Sequence, residues 1–72
     1  MQGLQAEYRK LPAVDALLHQ PAVLLLAGEY GEAQVTAAIR DVLAAARRAI
    51  AGGEPAPVPA AWPALIQAHL AA

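Results

Sequence analysis

The sequence predicts an all-α fold, a small bundle of three to four helices, and three observations carry that expectation. Residues 32–51 contain neither proline nor glycine and consist almost wholly of good helix formers. Alanine supplies 20 of the 72 residues, and alanine favours helix while gaining little from burial. The apolar run 22–27 has no second strand to pair with, so it is read as helix.

Residues 1–10 are polar apart from Leu4 and Tyr8. At helical spacing these two are expected to pack together, in a segment short enough to fray. A first helix is expected over 12–19. Pro12 suits its first turn, where a missing N–H is no loss. Asp15 then faces the positive end of the helix dipole and His19 the negative end. Leu11, Val14, Leu17 and Leu18 make its buried side. Pro21 closes this helix and opens the next, 21–27, for which Gly28 is the expected stop.

Tyr30-Gly31 turns the chain into the long helix, 32–51, with Gly31 at the N-cap and Glu32 in the first turn. Val35, Ile39, Val42, Leu43, Ala46 and Ile50 recur at spacings of three and four and form one apolar stripe. Gly52-Gly53 should terminate it. A Gly/Pro-rich linker spans 52–60, and its residues 52–59 cannot be helical and are partly stiffened toward polyproline geometry. A last helix, 61–72, follows, with Pro63 in its first turn and Trp62, Leu65, Ile66 and Leu70 on its apolar side. It reaches residue 72 without a C-cap signal. The expectation is a single helical domain that forms the N-terminal fragment of a longer enzyme.

The totals exclude several function classes. Without alanine only 22 apolar residues remain to build a core, with one Trp and no Phe. A chain this short buries little over about 60% of its unfolded surface, so the domain is only modestly stable alone. A net charge of −1 argues against binding nucleic acid through bulk positive charge, while leaving room for a basic patch on one face. The absence of cysteine removes disulfides, thiol chemistry and the soft ligands of most structural zinc sites. No basic segment followed by an apolar run opens the chain, and the uncharged stretch 55–72 holds four prolines, which does not suit a membrane span. A cytoplasmic location without membrane contact is the expectation.

No catalytic constellation emerges. Serine and cysteine are both absent, and the one threonine, Thr36, falls mid-helix, where bonding to a carbonyl one turn back is expected. His19 and His69 stand on different helices without further ligands converging on them, so no metal site is expected. Gly52-Gly53 lacks the strand, lysine and hydroxyl residue of a phosphate-binding loop. Lys10, the one lysine, lies in a polar run and not in an apolar pocket that could lower its pKa. No catalytic, cofactor-binding or metal residue is therefore assigned.

The arginines remain. At 100° per residue Thr36, Arg40 and Arg47 fall together on a side away from the apolar stripe, and Arg48 lies further round. One reading is a solvated helix face supplying charge beside Glu32 and Asp41. The other is a pair of phosphate contacts on a structured RNA, joined by Arg9 and Lys10, since the planar guanidinium favours bidentate phosphate recognition.

The run Leu11-Pro12-Ala13-Val14-Asp15-Ala16-Leu17-Leu18, then Tyr30-Gly31, then Val35, Ile39-Arg40, Leu43 and Arg47, resembles the N-terminal domain of bacterial selenocysteine synthase, the L-seryl-tRNA(Sec) selenium transferase. The match runs over about residues 8–50; the linker and last helix fit in position and character only. The resemblance implies a parent enzyme that depends on pyridoxal phosphate, has the aspartate-aminotransferase fold type and assembles as a large homo-oligomer. That enzyme converts seryl-tRNA(Sec) to selenocysteyl-tRNA(Sec) with selenophosphate as donor. Its small N-terminal domain would recognise the D-arm of tRNA(Sec) and stand beside the catalytic core, with the cofactor lysine outside these residues. Candidate RNA contacts are then Arg40, Arg47, Arg48, Arg9 and Lys10. Glu32 departs from relatives that often carry a basic residue after Tyr-Gly, so an RNA contact there would be missing or reversed.

Two rival readings stand beside this one. In the first, the chain is a protein-interaction or oligomerisation module that docks through Leu24, Leu25 and Leu26 or through the Trp62 helix, without binding RNA. In the second, the fragment only packs against its parent's core.

Overall fold

Helix α4, Glu32–Ala51, is the axis on which the other helices are laid. A computed structural model describes residues 2–72, with side chains from Gln5 onward. Before α4 come α1 (Gln2–Arg9), α2 (Val14–Leu18) and α3 (Pro21–Tyr30); after it come a 3-10 turn, Pro59–Ala61, and α5 (Trp62–Ala71). Each of the other four α-helices packs on α4, while α3 also touches α2 and α5. The described residues contain helices and no strand. The all-α expectation holds, with five α-helices where three to four are expected.

The core follows from the stripe on α4. Val35, Ile39, Val42, Leu43, Ala46 and Ile50 are all buried, and Ala38 joins them. Leu17 of α2, Val23 and Leu26 of α3, and Trp62 and Ile66 of α5 close over this stripe in one cluster. Trp62 is 1% exposed, so the surface that would let its helix dock on a partner through this ring does not exist.

Several boundaries differ from expectation, each for a local reason. The extra helix is α1, a polar segment held by distant contacts. The Tyr8 hydroxyl donates to the Arg47 carbonyl at 3.4 Å, and the Ala56 N–H donates to Glu7 Oε1 at 2.6 Å. The expected packing of Leu4 on Tyr8 lies outside the described residues, because the Leu4 side chain is not among them. Helix α2 starts at Val14 and not at Pro12: Ala13 is extended (φ −75°, ψ 154°), and its carbonyl accepts the first helical bond, from Leu17 N–H at 3.2 Å. His19 is the C-cap.

Helix α3 does not stop at Gly28 but runs to Tyr30. The stop needs a positive φ, and Gly31 supplies it (φ 93°, ψ 145°). Its N–H closes α3 on the Ala27 carbonyl at 2.9 Å, and its own carbonyl accepts from Val35 at 3.1 Å in the first turn of α4. One glycine thus ends one helix and begins the next. The far end of α4 closes as expected, with Gly53 at φ 98°. Gly53 N–H reaches the Ile50 carbonyl at 2.9 Å and Glu54 N–H reaches Ala49 at 2.9 Å, the paired bonds of a Schellman cap.

Candidate nucleic-acid interface

The outward side of α4 carries Arg40 and Arg47, both exposed. Seven residues separate them, which is about 10 Å along the axis and about 20° around it. Between and beside them stand only small residues: Ala33, Ala37 and Ala51 are exposed and Ala44 is half-buried. Bulk enters at the Arg47 end, where Tyr8 of α1 reaches the Arg47 carbonyl. Thr36, on the same line, is half-buried.

Arg48 falls about 80° round from Arg40. There it lines a groove of about 720 Å³ between α4 and α5, together with Asp41, Ala45, Leu65, Ala68 and His69. The five basic candidates thus do not form one patch. Arg9 and Lys10 stand at the end of α1, which the Tyr8 bond lays against the turn of Arg47. Lys10 is engaged, with Nζ 2.9 Å from Glu7 Oε2. That ammonium, seconded by the Ala56 N–H, holds the Glu7 carboxyl below its ordinary value. Among the described residues no carboxylate pairs with Arg9, Arg40, Arg47 or Arg48.

The acids that could neutralise the α4 face are placed elsewhere. Asp41 meets His69 Nε2 at 3.0 Å, tying α5 to α4. Glu32 lines a separate hollow of about 350 Å³ with Asp15, Leu18, His19 and Leu24. The molecule, 40 Å long, is therefore polarised. Asp15, Glu29 and Glu32 gather where α3 meets α4, whereas Arg9, Lys10, Arg47 and Arg48 lie toward the other end of α4 with Glu7 and Glu54. Arg48, the basic residue in the last turn of α4, also offsets the negative end of its dipole; Arg40, mid-helix, is free of that demand.

His19 is exposed, with Nδ1 2.7 Å from the Asp15 carbonyl one turn back. Among the described residues no three His, Asp or Glu side chains come together around a space for a metal ion. No helix of the described residues is long and apolar enough to cross a membrane. Glu7 escapes the sequence reading, which takes Tyr8 only as a packing residue; the Glu7–Lys10 spacing of three is the available signal.

Comparison with known proteins bears on the same stretch. The family model described as "Selenocysteine synthase N terminal" matches residues 8–47, more than half of the chain. The L-seryl-tRNA(Sec) selenium transferase of Methylocella silvestris is 53% identical over 45 residues, 62% of this chain and 10% of that protein. The enzyme of that name from Klebsiella pneumoniae (strain MGH 78578) is 43% identical over 47 residues, 65% of this chain and 10% of its own length. The matched part thus spans about a tenth of the curated relatives. No solved structure matches the chain. Arg9, Lys10, Arg40 and Arg47 all lie inside the matched stretch, and Arg48 just outside it. The chain belongs to the selenocysteine synthase N-terminal family.

Proposed function

We propose that this domain binds tRNA(Sec), through its D-arm, and presents it to the catalytic core of a cytoplasmic selenocysteine synthase. The observation that carries the reading is the α4 face itself: Arg40 and Arg47 are exposed, aligned, flanked by small residues and without a carboxylate partner among the described residues. The name of the relatives supplies the substrate, an L-seryl-tRNA(Sec).

The mechanism is recognition of shape. The major groove of A-form RNA is too deep and narrow for side chains to read, so a helix face engages phosphates and the outline of the arm. Arg40 and Arg47 make the principal phosphate contacts, Arg9 extends them from α1, and Lys10 contributes less because Glu7 holds it. Arg48 stands to the side of this track.

In the whole enzyme, a large homo-oligomer by family resemblance, pyridoxal phosphate would supply the electron sink for exchange of the seryl oxygen for selenium. The residues of this chain do not fit that cofactor. Its lysine, Lys10, is exposed and ion-paired at the surface and is not enclosed in a pocket. Catalysis and selenophosphate handling belong to the rest of the enzyme.

The test is the salt dependence of RNA binding. Each phosphate contact adds about 0.7–0.9 to the slope of log affinity against log salt, so Arg40→Ala with Arg47→Ala should flatten it by about 1.5. If affinity and slope both stay at their wild-type values, the RNA lies on another face.

A further inference from the structure

We propose that the chain self-associates head to tail, the outward face of α3 in one copy seating in the α4–α5 groove of the next. Helix α3 is apolar almost all round, and such a helix is normally covered on every side. Here only Val23 and Leu26 are buried, and Leu25 remains 73% exposed. Its neighbours on that face are Pro21, Ala22 and Gly28, and a Cβ added at Gly28 would meet nothing. Leu25 is therefore a knob with low surroundings, and Leu24, 54% exposed, stands at its rim.

The groove is the matching socket. Its apolar lining includes Ala45, Ala68 and Leu65, and its volume of about 720 Å³ admits a leucine with its flanking turn. Charges match as well. Glu29 follows Leu25 by one turn and makes no ion pair among the described residues. Arg48 follows Ala45 by three residues at the groove's end and is likewise unpaired there. With Leu25 over Ala45, Glu29 lies within reach of the Arg48 guanidinium. A twofold pairing of two α3 faces would leave Glu29 without a cation, because Pro21–Tyr30 carries no basic residue. The head-to-tail contact gives each copy two interfaces, each made by one face of a ten-residue helix and each weak by itself. It leaves Arg40 and Arg47 uncovered, so it does not depend on the RNA reading.

Sedimentation of the 72-residue chain without RNA, up to about 1 mM, tests the idea, because contacts this small give weak association. The wild type should rise above its 7.4 kDa monomer mass as concentration increases. Leu25→Asp and Ala45→Glu, both at exposed positions, should each remain monomeric while folded by circular dichroism. Their equimolar mixture should form a complex of two chains and stop there, because one variant keeps the groove and the other the knob. Ala68→Glu repeats the groove arm should Ala45→Glu fail to fold. A wild type that stays monomeric, a groove variant that associates like wild type, or a mixture of the variants that stays monomeric would each overturn the proposal.

Discussion

Two glycines three residues apart should respond to alanine with opposite signs. Gly28 lies inside α3 on its solvent side, and a Cβ there meets no atom within 4 Å. Replacing it costs no packing and removes the conformational freedom of glycine, so Gly28→Ala should stabilise by about 1 kcal/mol. Gly31 also has open space for a Cβ, so any cost there comes from the backbone alone. Its φ of 93° with ψ of 145° is a conformation that residues with a Cβ rarely adopt, and Gly31→Ala should cost about 1–3 kcal/mol. For a domain of this size each kcal/mol moves Tm by roughly 4–8 °C. Thermal and urea unfolding followed by circular dichroism, with the emission of buried Trp62 as second probe, reads both. The reasoning fails if Gly28→Ala destabilises, or if Gly31→Ala leaves the domain as stable as wild type.

Other expectations follow from single contacts. Ile39 is fully buried at the centre of the cluster, so Ile39→Ala should cost about 2–5 kcal/mol, comparable to the whole stability of a core this small; circular dichroism at 25 °C should show a largely unfolded chain. The Glu7 carboxyl is lowered from its ordinary 4.5, chiefly by Lys10 and then by the Ala56 N–H. A lowered folded-state value means that its contribution is complete above about 4.5 and is lost as pH falls through the lower folded value. The urea midpoint of Glu7→Gln should therefore lie below wild type at pH 7, and the gap should narrow as acid protonates Glu7; a constant gap would contradict the assignment. Glu32 sits in the acidic hollow beside Asp15, away from the proposed RNA track, so Glu32→Gln should leave tRNA affinity within about twofold, whereas direct repulsion of phosphate should yield more than tenfold tighter binding on neutralisation.

How far the chain could be read depended on whether its signals are local. Helix α4 has the boundaries expected of it because its stripe, its glycine borders and its propensity agree over twenty residues. The separation of Arg48 from Arg40 and Arg47 was visible in the angular plot for the same reason. Helix α1 was not readable as stable structure. Its eight residues gain their hold from Arg47 and Ala56, 39 and 49 positions away, and no local pattern announces such contacts. The end of α3 was misplaced because a glycine on a solvent face costs a helix only about 1 kcal/mol, and the positive φ at which the chain turns falls at Gly31. The α4–α5 groove is a product of packing angles, which composition and periodicity do not fix.

The central claim is that the Arg40–Arg47 face reads tRNA(Sec), and a chemical-shift titration of the isotope-labelled domain tests it most directly. With tRNA(Sec), the account predicts that perturbations concentrate on Arg40, Arg47 and the intervening Ala37 and Ala44 amides, with a weaker set at Arg9. A serine tRNA at equal concentration and salt should perturb them less. Shifts confined to α3 or the α4–α5 groove, or the same response to both RNAs, would contradict it.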